Sequence, residues 1–227
     1  MKKIIKTSNL IYTLTVVVII LIALFVLWQT DKTPRYNNQN NTNDNIAKQE
    51  NVNSSNKNFE NNNHSTLVFP VAEFKERITK KSFGTYVNPN DSPVSPERFQ
   101  GYHTGVDVEY ADITTDVAVV AIADGLIVFS GRVSGYGGLV VIRHNIDGKS
   151  YLVFYGHLNP SSLLAKDASI SAGQEIGQLG QAYSSEIDGE RRHLHLAVYT
   201  GSDINMLGYT QTKEGLSKWI DPLTLWP

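Results

Sequence analysis

The sequence predicts an all-β fold of antiparallel strands, and three observations lead to that prediction. After Gly101 the apolar residues come in short runs bounded by Gly and Asp, which is typical of strands. Two Asp-Gly dipeptides, at 124–125 and 147–148, lie between such runs and predict tight turns. Helical character is limited to short turns at 161–166 and 215–219.

The predicted strands follow from these apolar runs in chain order. The first two flank Asp124-Gly125 and are expected to pair as a hairpin. The turn at Asp147-Gly148 precedes the fourth strand, and the last strand, His193–Tyr199, alternates about a central Leu. The predicted strands are 117–123, 126–130, 139–144, 151–157 and 193–199.

The first thirty residues predict a membrane anchor. Lys2, Lys3 and Lys6 precede residues 10–28, which are apolar and carry no charge. A run of this length can cross the ~30 Å hydrocarbon core, and it ends without the small residues of a cleavage site. The basic residues before it favour an outward C-terminus. We therefore predict an uncleaved anchor at 1–30, single-pass in the cell membrane. A cleaved signal peptide is the alternative, and it would also export the remainder.

The rest of the chain divides into a linker and a domain. Residues 31–66 are rich in Asn and poor in large apolar side chains, so they cannot bury enough surface to offset their ordering entropy. They are predicted to be a disordered tether. Apolar residues return at residue 67 and continue to the end of the sequence, which predicts one folded domain over 67–227.

Composition removes several functional classes. Lys and Arg total 20 against 22 Asp and Glu, so no basic field exists to hold a nucleic-acid backbone, and nucleic acid is not expected as a partner. The sequence contains no Cys, which removes disulfides, thiolate metal ligands, a Cys nucleophile and a lipid-modified Cys. Any metal in this chain must be bound by His and carboxylate side chains.

Four of the six His residues lie in three short segments, namely His103-Thr-Gly-Val-Asp107, Tyr155-Gly-His157-Leu and His193-Leu-His195. Residues two apart in a strand share a face, so His193 and His195 address one site while the flanking Leu residues face the core. Gly105 lets the backbone bring His103 and Asp107 together. Two imidazoles and a carboxylate form a three-ligand zinc set with a fourth position open to water, which indicates catalysis. The remaining His residues are candidates for a general base and for oxyanion stabilisation.

These segments resemble the signature of the lysostaphin-type, LytM-like zinc endopeptidases, which is His-x-x-x-Asp, Tyr-x-His-Leu and His-Leu-His in that order. The resemblance extends over about residues 67–227 and includes Ala123-Asp-Gly125 and Gly135-Tyr-Gly137. It implies a barrel-sandwich hybrid, or duplicated hybrid motif, of antiparallel β-sheet. It also implies one Zn²⁺ per chain and a peptidoglycan peptide substrate. By the same resemblance, His103, Asp107 and His195 are the metal ligands, and His157 and His193 are the catalytic residues.

The chain departs from the family around the last segment, where Glu190-Arg191-Arg192 precedes His193. The two Arg residues are expected either to meet acidic groups of a stem peptide or to form a solvated loop. The Pro-containing stretch 86–100 is either a groove edge or a simple connection. Tyr155 is assigned to the core, whereas Glu109 and His144 are assigned to the surface.

The resulting functional prediction is a membrane-anchored zinc metalloendopeptidase that hydrolyses peptidoglycan peptide bonds by metal-activated water. Its partners are the peptide substrate and, through the N-terminal helix, the lipid bilayer; the sequence does not indicate a protein partner. The alternative is a non-catalytic or weakly catalytic wall-binding or scaffold protein of the same fold that acts through a partner. A lipoyl or biotinyl carrier ranks lower because no predicted turn presents the required Lys.

Overall fold

In the computed structural model, which describes residues 67–227, the regular structure is almost entirely antiparallel β. The helices in these residues are 3₁₀ segments, at Pro160–Ser162, Ser185–Ile187, Lys213–Lys218 and Pro222–Leu225. The predicted all-β class is confirmed; the finer assignment to a barrel-sandwich hybrid stays a prediction. The strands are β1 Tyr86–Val87, β2 Gly101–His103, β3 Gly105–Glu109, β4 Ala118–Val120, β5 Gly125–Val133, β6 Gly137–Ile146, β7 Lys149–Leu158, β8 Ser169–Ile170, β9 Glu175–Gln178, β10 His193–Tyr199, β11 Tyr209–Thr210 and β12 Trp219–Ile220.

The largest sheet has seven strands and carries most of the core. Its order is β12-β10-β7-β6-β5-β8, and β3 also pairs with β10. One edge of β10 therefore pairs with β7, and the other edge pairs first with β3 and then with β12. Strands β1, β2 and β11 form a second sheet, and β4 pairs with β9.

Both faces of the central sheet are buried. Leu194, Leu196 and Val198 of β10 belong to the larger apolar cluster on one face. Ala197 and Tyr199 belong to a smaller cluster on the other face. The prediction that the two Leu residues face the core is therefore confirmed, and the His residues that alternate with them lie on the side of the smaller cluster.

The two predicted Asp-Gly turns have different outcomes. Asp147 and Gly148 have φ values of 49° and 76° and join β6 to β7, with Ile146 paired to Lys149. This agrees with the type I′ turns that favour Asp-Gly. The hairpin predicted across Asp124-Gly125 is wrong, because β4 pairs with β9 whereas β5 pairs with β6 and β8. Gly125 is needed for close packing, since a Cβ there would lie 2.6 Å from the Arg143 carbonyl oxygen.

In residues 67–227 there is no helix with the length and apolar character to span a bilayer. The predicted anchor at 1–30 and the predicted linker at 31–66 lie outside the described residues. These two assignments and the domain boundary at residue 67 stay predictions.

Candidate metal centre

Strands β3 and β10 present four ionisable side chains on one face. His195 pairs with Asp107, and His193 pairs with Glu109, across the antiparallel ladder. Residues directly opposite each other in such a ladder project to the same side. The register therefore makes Asp107 the neighbour of His195.

His103 reaches this face from the second sheet. It ends β2, and the chain bends at Thr104 before β3 begins. Gly105 follows, and a Cβ at this position would lie 2.3 Å from the Leu196 carbonyl oxygen. Gly105 thus permits the close approach of β3 to β10, which brings Asp107 to His195 while the bend delivers His103.

His157 joins the site through a β-bulge. In the pairing of β7 with β6, Leu158 is opposite Gly138 and Gly156 is opposite Leu139, so His157 is the extra residue. Its φ of 63° lies in the left-handed region, which is uncommon for a residue with a side chain. Simple alternation would place His157 on the same face as Tyr155, and the bulge turns it to the site instead.

Three atoms converge at the centre of the site. His103 Nε2 lies 3.0 Å from His195 Nδ1 and 3.2 Å from Asp107 Oδ1, and His195 Nδ1 lies 3.1 Å from the same Oδ1. All three side chains are buried. Ligands that surround zinc tetrahedrally at about 2.0–2.1 Å are about 3.3 Å from one another, so this triangle has nearly the dimensions of one face of a zinc site.

The surroundings of the two His rings outside the triangle leave lone pairs on His103 Nε2 and His195 Nδ1, which can bind a cation. His103 Nδ1 lies 3.2 Å from the Ser82 carbonyl oxygen, which can only accept, so a neutral His103 carries its proton on Nδ1. Its Nε2 lone pair then faces the Asp107 carboxylate, an arrangement that calls for a cation or a proton between them. His195 Nε2 is buried and has no hydrogen-bond partner within residues 67–227, so it can carry the ring proton when Nδ1 acts as a ligand. The residues present therefore fit a zinc ion.

The other two His residues lie beside this triangle with their rings 4.2 Å apart. His193 Nδ1 donates a hydrogen bond to the Arg191 carbonyl oxygen at 2.7 Å, which leaves the Nε2 lone pair of the neutral ring available. That Nε2 lies 3.5 Å from Asp107 Oδ2. His157 Nδ1 is buried without a partner in the part of the chain that the structure describes.

Burial sets the protonation states at the site. Burial raises the pKa of Asp107, but the nearby His103 and His193 and the hydrogen bonds from His residues hold it well below its usual range. Burial holds the pKa of His193 well below its usual value against the opposite pull of Asp107. Burial and the nearby His195 lower the pKa of His157 to about 3. Near neutral pH, the carboxylate is charged and both of these imidazoles are neutral.

Arg191 is buried beside the ligand set. Its Nη2 lies 2.6 Å from Asp107 Oδ2 and 2.8 Å from Glu109 Oε1, and its Nε donates to both Glu109 oxygens at 3.1 Å. Arg192 is also buried, and its Nη1 donates to the Ile113 carbonyl oxygen. The solvated-loop alternative for the two Arg residues and the surface assignment of Glu109 are both wrong. Period-two alternation along the strands could have indicated that these side chains face the site. Arg191 is two residues from His193, and Glu109 is two residues from Asp107, so each shares a face with a site residue.

The centre opens into a cavity of about 400 Å³. The end of the 86–100 stretch lines one side, so the groove-edge alternative for this segment is confirmed. The segment is anchored by Glu97, which pairs at 2.5 Å with the buried Lys81, and by Phe99, whose ring stacks on Tyr209 at 5.3 Å. The lining comprises Arg98, Phe99, Gln100, Asp107, Ser134, Gly135, Tyr136, His157, Glu190, Arg191, His193, His195, Met206, Leu207, Gly208, Tyr209 and Gln211.

Of the two residues on the opposite face of the sheet, the prediction for Tyr155 is confirmed and the prediction for His144 is wrong. Tyr155 is fully buried in the larger apolar cluster, as predicted. The surface assignment of His144 is wrong, because this residue is also fully buried. The predicted strand 139–144 ends at His144, which favoured an exposed position. The observed strand β6 continues to Ile146, so His144 lies within the strand and its side chain is buried.

Comparison with known proteins gives a consistent set of similarities. The family profile described as peptidase family M23 matches residues 101–206, a segment that contains His103, Asp107, His157, His193 and His195. The chain is 34% identical over 112 residues to the murein hydrolase activator NlpD of Salmonella dublin, covering 48% of this chain and 26% of that protein. It is 35% identical over 93 residues to the lipoprotein NlpD of Yersinia enterocolitica, covering 40% and 87%. It is 35% identical over 104 residues to the DD-carboxypeptidase/endopeptidase Mpg of Neisseria meningitidis serogroup B, covering 45% and 21%. The chain thus spans about a quarter of the length of the Salmonella relative.

Proposed function

Because the chain belongs to peptidase family M23, we propose that it is a zinc metalloendopeptidase that hydrolyses peptide bonds in bacterial peptidoglycan. The observation that carries this proposal is the triangle of His103 Nε2, Asp107 Oδ1 and His195 Nδ1, with edges of 3.0–3.2 Å, at the floor of an open cavity. Zinc bound there supplies a Lewis acid that polarises a carbonyl group and activates water.

The residues of this chain take distinct roles in that reaction. His103, Asp107 and His195 hold one zinc ion. His193 acts as the general base at Nε2, because the Arg191 carbonyl fixes its proton on Nδ1 and burial keeps the ring neutral. His157 lies beside it, with the rings 4.2 Å apart, in a position to donate a hydrogen bond to the oxygen on which negative charge develops.

The proposed substrate and location follow from the relatives and the N-terminal sequence. A relative named as a DD-carboxypeptidase/endopeptidase, and others named as murein hydrolase activators, support peptidoglycan as the substrate. Relatives named as lipoproteins support association with a membrane. The sequence contains no Cys to lipidate, so we propose that the apolar run at 10–28 serves as the anchor, with the folded domain outside the cytoplasm.

A second candidate function is activation of a separate murein hydrolase. The observation that favours it is that four relatives at 33–34% identity carry the name murein hydrolase activator. In this case the domain acts by binding a partner enzyme, and the metal centre serves stability or recognition.

The deciding experiment measures release of soluble peptides from purified peptidoglycan by the full-length chain. It is performed with zinc, with a chelator and with His193→Ala. The endopeptidase proposal predicts zinc-dependent release that both controls abolish, and mass spectrometry of the products identifies the bond. Zinc binding without release from several wall types contradicts the proposal. In that event, increased release by an added murein hydrolase supports the second candidate.

A further inference from the structure

The second oxygen of the Asp107 carboxylate is already engaged. Oδ1 lies within 3.2 Å of both His103 and His195, whereas Oδ2 receives a hydrogen bond from Arg191 Nη2 at 2.6 Å. Charge-assisted hydrogen bonds of this length are strong and directional. A carboxylate held in this way cannot rotate about its Cβ–Cγ bond without breaking the contact, so Oδ1 alone remains aimed at the two imidazoles.

Arg191 is itself held by a second carboxylate. Its Nε contacts both oxygens of Glu109 at 3.1 Å, and Nη2 contacts Oε1 at 2.8 Å. Arg191 and Glu109 are 6% and 8% exposed, so the pair is largely removed from water. The planar guanidinium spans the two acids in a way that a Lys ammonium cannot reproduce.

From these contacts we propose that Arg191, braced by Glu109, is a positioning residue that fixes Asp107 as a single-oxygen ligand of the metal ion. The inference rests on the proposed zinc centre and adds to it a residue outside the ligand set. Groups that orient metal ligands commonly change metal affinity by about 10–100-fold when they are removed.

The direction in which metal affinity changes when Arg191 is removed distinguishes a positioning role from a purely electrostatic one. An arginine next to a cation site repels the cation, so a guanidinium with no positioning role would weaken metal binding, and its removal would strengthen it. Positioning predicts the opposite result, because a released Asp107 can turn away from His103 and His195.

The experiment measures zinc affinity of the full-length chain by competition with a chromophoric chelator. Absorption of the Co²⁺-loaded protein serves as a second readout of tetrahedral geometry. Arg191→Met is expected to weaken zinc binding about 10–100-fold and to reduce the tetrahedral Co²⁺ absorption. Arg192→Met is the matched control. Arg192 is adjacent and also buried, and within residues 67–227 its side chain donates to the Ile113 carbonyl and not to Asp107 or Glu109, so its replacement is expected to leave both readouts unchanged.

A double variant guards against loss of folding. Arg191→Met alone removes the closest cation from buried Glu109 and leaves it only the longer 3.8 Å contact with Lys80 among the described residues, which can be strongly destabilising. Arg191→Met with Glu109→Gln removes that charge, so the chain is expected to fold while zinc affinity stays low. Wild-type affinity in the folded double variant overturns the inference and leaves the zinc centre intact. A wild-type chain that binds no zinc overturns both the inference and the proposed function.

Discussion

Each face of the central sheet buries a histidine beside a tyrosine, but the two histidines differ in whether their ring nitrogens have hydrogen-bond partners. On one face, His144 lies against Tyr155, and both ring nitrogens have partners: Nδ1 donates to the Asp124 carbonyl at 2.9 Å, and Nε2 accepts from the Tyr155 hydroxyl at 3.1 Å. On the other face, His195 lies against Tyr136, with ring centroids 5.5 Å apart, and its Nε2 has no partner among the described residues.

The difference shows that burial of histidine alone does not mark a functional site. The chain of bonds at His144 is complete, because the Ile122 N–H also donates to the Tyr155 oxygen at 3.1 Å, and a neutral ring satisfies every member. At the metal centre, neutral rings leave lone pairs facing a carboxylate, and two buried ring nitrogens have no partner in the part of the chain that the structure describes. Imidazole lone pairs that converge with a carboxylate on one point are the feature that separates this binding site from a structural histidine.

The largest expected effect is on zinc binding. His195→Ala removes one corner of the triangle, so we expect zinc affinity to fall more than roughly 100-fold, beyond the range typical of residues that only orient ligands. His144→Leu alters the other face and is expected to leave zinc affinity unchanged. Competition titration against a chelator measures both variants on one scale. Equal affinities for the two variants would contradict the distinction between the two faces.

Alternation along a strand predicts the shared face of His193 and His195 correctly but does not predict every neighbouring position. Period-two alternation places His193 and His195 on one face, and the structure agrees because β10 is a regular strand. Alternation fails at His157, because a bulge depends on the register with β6 and no local residue pattern encodes it. The Asp-Gly hairpin signal at Asp124-Gly125 fails for a similar reason, because this glycine is required by close packing against the Arg143 carbonyl oxygen rather than by a hairpin turn.

The errors about burial have a common physical origin. His144, Glu109 and Arg191 are polar, and polar residues are mostly exposed. Each is buried here because a specific partner from a distant part of the chain satisfies it, such as Glu109 for Arg191, which lie 82 residues apart. Such pairing is a property of the tertiary structure, so the general expectation that polar side chains are exposed is wrong at these positions.

A smaller effect is expected on stability. His144→Leu removes hydrogen bonds to the Asp124 carbonyl and the Tyr155 hydroxyl, and both groups stay buried or partly buried. Leaving such a group unsatisfied costs about 1–3 kcal/mol. Chemical denaturation of the variant and the wild type measures the difference in the free energy of unfolding. Tyr155→Phe is a complementary variant, since it removes the hydroxyl that bonds both to His144 Nε2 and to the Ile122 N–H, so it is also expected to lower the free energy of unfolding. A His144→Leu variant as stable as the wild type would show that the two hydrogen bonds of His144 contribute nothing to the free energy of unfolding.

The smallest expected effect is the dependence of that stability on pH. Burial lowers the pKa of His144, against the opposite pull of its bond to the Asp124 carbonyl, so the unfolded chain binds a proton at a higher pH than the folded chain. The stability that neutral His144 contributes is therefore complete above the unfolded pKa of about 6.5 and is lost as pH falls toward the folded value. One proton changes the slope by at most about 1.4 kcal/mol per pH unit. Denaturation at about pH 7.5 and about pH 5.5 is expected to show a smaller loss in His144→Leu than in the wild type, because the His residues of the metal centre remain in both proteins and their contribution cancels in the difference. An equal loss in both proteins would mean that His144 takes up its proton at the same pH whether the chain is folded or unfolded.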